Sequence, residues 1–151
     1  IWASMAFAEM AAALKENKLT PIDRLNQIYQ QYGVHLDALG TQTFKGTKGM
    51  AKIQQIMREL RNSPPESVAG QAVVKITDYL ENKIICGNET RQGPGLPQSN
   101  VIALKLADNS RITARPSGTE PKIKYYFNLQ GKDSEMLNRR LGSIQADFIK
   151  D

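Results

Sequence analysis

The stretch Ala114–Lys124, ARPSGTEPKIK, joins two strand-like runs, Arg111–Arg115 and Lys122–Leu129. Arg115 precedes Pro116 and Glu120 precedes Pro121. A residue before proline is pushed out of the helical region, so the connection is braced at both ends. Neither proline has an N–H. Between them stand four consecutive backbone donors, on Ser117, Gly118, Thr119 and Glu120. Gly118 is free to take positive φ, which would turn successive N–H groups inward as an anion-binding nest. Two hydroxyls (Ser117, Thr119) and three cations (Arg115, Lys122, Lys124) surround it. These parts suit a phosphate cradle, and they suit a structural turn as well. A Walker-type loop is excluded: the GxxxxGK[ST] spacing is missing, and a β-rich run follows where a helix should begin.

Working outward, the strand after the loop alternates. Ile123, Tyr125, Phe127 and Leu129 point one way, and Lys122, Lys124 and Tyr126 the other. The apolar set predicts a core face, and the lysines share a face with the loop. Upstream, Val101–Leu106 and Arg111–Arg115 predict a hairpin about Asp108-Asn109, residues that tolerate positive φ. Val73–Tyr79 reads as a short strand, and Glu81–Asn100, rich in Asn, Gly and Pro, as a long surface connection. Val34–Lys45 looks extended. Gly46–Arg61 predicts a helix, with Met50, Ile53, Ile56, Met57 and Leu60 at helical spacing and Pro64-Pro65 beyond its end. Asp133 or Ser134 caps a last helix whose buried side carries Met136, Leu137, Leu141, Ile144 and Phe148.

Two further helices open the chain. Ile1–Asn17 is apolar nearly all round, and such a helix belongs inside something. In the second, Thr20 is the N-cap, Pro21 takes the first helical position and Gly33 the C-terminal cap. The whole predicts an α+β architecture: an antiparallel four-stranded sheet with helices on one face over residues 34–151, preceded by a helical segment, residues 1–33.

The 151 residues are 40% hydrophobic, enough for one core, and the net charge of +5 suits anionic partners. The cations are scattered, so a basic solvated surface explains much of this excess. One cysteine, Cys86, rules out an internal disulfide, and no Cys/His metal cluster occurs. A reduced, cytoplasmic setting fits. No apolar run is long enough to cross a bilayer. The start at Ile1, without an initiator Met or basic leader, reads as a fragment.

Arg115-Pro-Ser-Gly-Thr-Glu-Pro-Lys-Ile-Lys-Tyr-Tyr126 resembles the signature of the last domain of the α-D-phosphohexomutases, in the phosphoglucomutase/phosphomannomutase branch. Phe7–Met10, Ile28-Tyr29, Tyr32-Gly33 and Leu96–Val101 extend the resemblance. It implies a TATA-binding-protein-like topology, with residues 1–33 a remnant of the preceding domain and linker. It also implies an isomerase that moves a phosphoryl group between C1 and C6 of a hexose, using a phosphoserine and Mg²⁺. The active serine and the Asp-rich Mg²⁺ loop are absent here, so this chain holds no catalytic residue and no metal or cofactor, and it should be inactive alone. Carried over by position, Arg115, Ser117, Gly118 and Thr119 match the contacts to the substrate's non-reacting phosphate. Lys122 and Lys124 are added from strand parity. The implied partners are hexose 1-phosphate, 6-phosphate and 1,6-bisphosphate, and the enzyme's N-terminal domains. Helix 1–17, lacking its partner, is expected to self-associate. The alternative is a stand-alone basic module for nucleic acid or another polyanion. It is disfavoured because Tyr125 faces inward.

Overall fold

A computed structural model describes residues 1–46 and 48–149. Thr47, within the expected third helix, and Lys150 and Asp151, within the expected last domain, lie outside the described residues. The elements are α1 (Trp2–Glu16), α2 (Pro21–Tyr32), β1 (Val34–Thr43), α3 (Gly49–Asn62), β2 (Ser67–Val68), β3 (Gln71–Asp78), β4 (Lys83–Cys86), β5 (Glu89–Gln92), β6 (Ile102–Leu106), β7 (Arg111–Pro116), β8 (Lys122–Gly131) and α4 (Ser134–Phe148).

The class is α+β, as the alternation predicts, but among the described residues the sheet has eight strands rather than four. Their order is β1-β8-β7-β6-β3-β4-β5, with two-residue β2 on β3 and every pairing antiparallel. The additional length comes largely from β4 and β5, within what the sequence presents as a long connection. The residues that suggested a loop build the hairpin. Asn82 and Gly87 take left-handed φ of 49° and 57° at its ends. Gly93 donates to the Asn82 carbonyl at 2.7 Å, where a Cβ would lie 2.5 Å from Asn82 Oδ1. Strands of four residues, one of them wholly polar (Glu89–Gln92), carry too little periodicity to stand out.

The core lies between the sheet and the α3/α4 layer. Ile123, Tyr125, Phe127 and Leu129 of β8 are buried there, with Ile102, Leu104 and Leu106 of β6 and Ile112 and Ala114 of β7. Ile53 and Met57 of α3 and Leu137 and Ile144 of α4 close it. Met50 shares the helical spacing of α3 and Met136 the expected buried side of α4, yet they are 40% and 63% exposed. Each sits in the first turn of its helix beside a buried neighbour, Gly49 and Leu137 respectively, and its side chain turns to solvent. Asp133 caps α4 by accepting from Met136 N–H at 2.7 Å. Thr20 and Asp23 form a reciprocal capping box on α2, and the Thr20 hydroxyl and N–H hold the Asp23 carboxyl below its ordinary range.

Helices α1 and α2 pack on each other, and α2 touches β1, but neither has a buried residue. Ile1, Trp2, Met5 and Phe7 are all more than half exposed. The α1 surface that calls for a partner therefore lacks one within the described residues.

Two polar nodes tie the layers. Arg61, at the end of α3, donates to Asp78 Oδ2 at 2.7 Å and to Asn100 Oδ1 at 2.9 Å. Asp78 is 2% exposed, and its other oxygen accepts from Leu80 and Glu81 N–H. Arg140 of α4 donates to Asp108 and to the Val68 and Ala69 carbonyls. The Asp108 carboxyl is partly desolvated, but the Ser110 and Arg140 donors outweigh this and hold it low.

Asp78→Ala leaves Arg61 buried without its counter-ion and is expected to cost roughly 3–5 kcal/mol, read from urea unfolding midpoints. Burial pushes the Tyr125 phenol up to about 12. Since the folded value is raised, the contribution to stability is complete below the ordinary phenol range and is lost as pH rises towards about 12. Denaturant titrations across that window should show the decline, and Tyr125→Phe should flatten it.

Candidate functional site

The Ala114–Lys124 stretch lies at the end of the sheet where β7 turns into β8. Arg115 and Lys124 stand directly opposite in the ladder, two cations side by side on the face away from the helices. Together with Pro116, Ser117, Gly118 and Tyr126 they line a concavity of about 170 Å³. Ser117 is half-buried, and Gly118, Thr119 and Glu120 are exposed. Pro121 anchors the far side: its carbonyl accepts from Phe44 N–H at 2.9 Å, and Gly49 of α3 packs against its ring.

The backbone does not form the expected nest. Gly118 does not take positive φ. Ser117 N–H donates to the Lys122 carbonyl at 2.9 Å. Ser117 Oγ accepts from Thr119 and Glu120 N–H at 3.4 and 3.3 Å. A serine hydroxyl that folds back on its own turn satisfies these donors locally, so three of the four N–H groups point into the loop. At these lengths the two Oγ contacts are weak. A Cβ at Gly118 would meet nothing within 4 Å, so the loop's outer surface is open.

Of the six expected residues, Arg115, Ser117, Gly118 and Lys124 share the concavity, whereas Thr119 and Lys122 do not line it. Lys122 turns instead to Glu120, at 2.5 Å. This hydrogen bond and the lysine charge hold the Glu120 carboxyl below its ordinary range. Strand parity cannot separate Lys122 from Lys124; the acid at Glu120 does. Tyr126, which alternation puts on the lysine face, is a further lining residue that composition alone does not mark. His35 lies at the opposite end of β1 from the residue that pairs with Lys122, on the open face with Asp37 and Arg111. Cys86 is a half-buried free thiol. Among the described residues no three His, Cys, Asp or Glu side chains gather to hold a metal ion, and no helix is long and apolar enough to cross a membrane.

No family model matches. The chain is 38% identical over 135 residues to the phosphoglucomutase of Staphylococcus aureus strain MRSA252, and 42% identical to that of strain USA300. Each match covers 89% of this chain and 24% of the relative. The open form of the exocytosis-sensitive phosphoprotein pp63/parafusin, a Paramecium phosphoglucomutase, superposes with a TM-score of 0.58 at 18% identity, over 96% of this chain and 26% of that one. The α+β fold is thus one found in a phosphoglucomutase. The sequence matches go further and relate nearly the whole chain to part of a phosphoglucomutase. It spans about a quarter of the length of the curated relatives it matches.

Proposed function

We propose that this chain is the phosphate-holding domain of a phosphoglucomutase/phosphomannomutase, and that it clamps the phosphate of a hexose phosphate that is not being transferred. One observation carries the reading: Arg115 and Lys124 are opposed across the β7–β8 ladder beside Ser117 and Gly118, in a chain related to phosphoglucomutases. A guanidinium presents donors in a planar fork suited to phosphate oxygens. The weak Oγ contacts within the loop are ones a phosphate could replace, freeing Thr119 N–H and Glu120 N–H to donate to the ligand. Thr119 and Lys122 then join the site when the loop adjusts, Lys122 leaving Glu120. Holding a remote phosphate positions the reacting end of the sugar, so that binding energy is used for orientation. The complete enzyme would move a phosphoryl group within hexose 1-phosphate and 6-phosphate by way of the 1,6-bisphosphate. The Mg²⁺ that such chemistry calls for does not fit this chain, whose described residues gather no ligand set, so the other domains must hold it. We place the boundary of the last domain at residue 34, and residues 1–33 against the preceding domain. The setting we propose is the cytoplasm.

About four charge-assisted hydrogen bonds at roughly 1.5–3 kcal/mol each stand against an association cost of about 4–15 kcal/mol. The chain alone should therefore bind hexose phosphates only weakly, in the millimolar range or poorer. Titration with glucose 1-phosphate is expected to shift the amides of Ser117–Glu120 slightly, and Arg115→Ala to abolish the shifts. Submicromolar affinity, or indifference to Arg115→Ala, would overturn the clamp. Steeply salt-dependent binding of an oligonucleotide would instead favour the polyanion-binding alternative.

The exposed apolar surface of α1 supports self-association in the absence of its own neighbouring domain. Sedimentation at rising concentration should show a dimer that Trp2→Ser combined with Phe7→Ser disperses; a monomer throughout would contradict this.

A further inference from the structure

Away from the loop, the same open face carries a second set of opposed cations. Lys75 of β3 faces Lys105 of β6, and Lys105 faces Arg111 of β7. Like charges directly opposite one another destabilise a sheet. Among the described residues none of the three makes an ion pair within 4.0 Å. The next position in the row, opposite Arg111, is Asn128, which donates to Asp37 Oδ1 at 2.7 Å. The row therefore sets three positive charges side by side; its acid, Asp37, stands one strand beyond Asn128 and makes no ion pair within 4.0 Å with Arg111.

The backbone departs from regularity to make this row. Val73 stands opposite Leu106, but Lys75 rather than Val74 stands opposite Lys105, because a bulge intervenes. An unbroken ladder would place Val74 beside Lys105. The extra residue substitutes a lysine there and leaves Val74 43% exposed. Bulges commonly re-aim a side chain beside a site. Arg111 is in turn oriented by donating from Nη2 to the Tyr79 hydroxyl at 3.0 Å. The three cations line one cavity of about 270 Å³ with Thr77 and Tyr79. Neighbouring strands lie about 4.7–4.9 Å apart, so three flexible cationic heads on adjacent strands can converge on one tetrahedral anion.

We propose that Lys75, Lys105 and Arg111 form a second oxyanion site, which takes a phosphoryl group and is separate from the loop concavity. Arg111 and Arg115 are four residues apart on β7, or roughly 13 Å along a strand. That is too far for both cation groups to share one phosphate. The inference does not depend on the clamp, since it involves neither Arg115 nor the loop.

The test is an amide NMR titration of the 151-residue chain with inorganic phosphate at constant ionic strength, with sodium chloride as the matched control. The expected result is saturable shifts at Lys75, Lys105 and Arg111 that chloride does not reproduce. Lys105→Gln should weaken this binding about tenfold, the loss of one charge-assisted contact, while Arg115→Gln leaves it unchanged. Lys105→Gln should also raise the thermal midpoint in low salt, by relieving the like-charge row. Non-saturating shifts, equal shifts in chloride, or a lowered midpoint in Lys105→Gln would overturn the site. If Arg115→Gln removed these shifts as well, a single shared anion would replace the two-site account.

Discussion

The alternation of β8 is the constraint on which the rest of this molecule depends. One face of the strand is apolar and buried to 2% exposure or less at Ile123, Tyr125, Phe127 and Leu129. The other carries Lys122, Lys124 and Tyr126. Because the side-chain period is two, a slip of one residue would turn the lysines into the core and the aromatic residues into water. That penalty fixes the register against both neighbours, β1 over ten pairs and β7 over six. Once the register is set, Lys124 must stand opposite Arg115, and the cationic face follows from the packing of the hydrophobic one.

The helices then secure what the strand dictates. Ile53 and Met57 from α3, and Leu137 and Ile144 from α4, cover the apolar face, and among the described residues no α3 or α4 core residue covers the opposite one. Tyr125 sits beneath the site, its ring edge-on to Phe148 with centroids 5.7 Å apart and its hydroxyl donating to Gln42 at 3.2 Å. Arg61–Asp78 and Arg140–Asp108 pin the helices to strand ends by side chains that are mostly buried. The result is a packed platform with a basic outer face, on which the strand register sets the spacing of the cations. Few acids are spent on that face: Asp37 accepts from Asn128, and Glu120 takes Lys122 at its margin.

Much of the fold is legible in the residues themselves, for a local reason. The β8 period, the Asp108-Asn109 turn, the Thr20-Pro21 helix start and the Asp133 cap are each written over a few adjacent positions, where propensity and patterning act directly. The β4–β5 hairpin escapes such a reading because its Asn and Gly residues serve both turns and loops, and its short strands acquire meaning only by pairing with the edge of β3. Met50 and Met136 fit the apolar spacing of their helices, but spacing does not say which side chains of a first turn the sheet covers. The candidate loop is legible in its composition and only partly in its geometry.

The sequence alone determined the class of fold, the core face of β8, the position of the loop and the kinship of the Arg115–Tyr126 stretch. Those properties reside in the order of neighbouring residues. Only the tertiary structure decided which lysine faces the concavity, where the donors of Ser117, Thr119 and Glu120 point, and that Lys75, Lys105 and Arg111 form one row. These depend on strands distant in the chain meeting in a particular register, and in the last case on a one-residue bulge. A strand's sequence records which face each residue takes, but its cross-strand neighbours exist only once the sheet has formed.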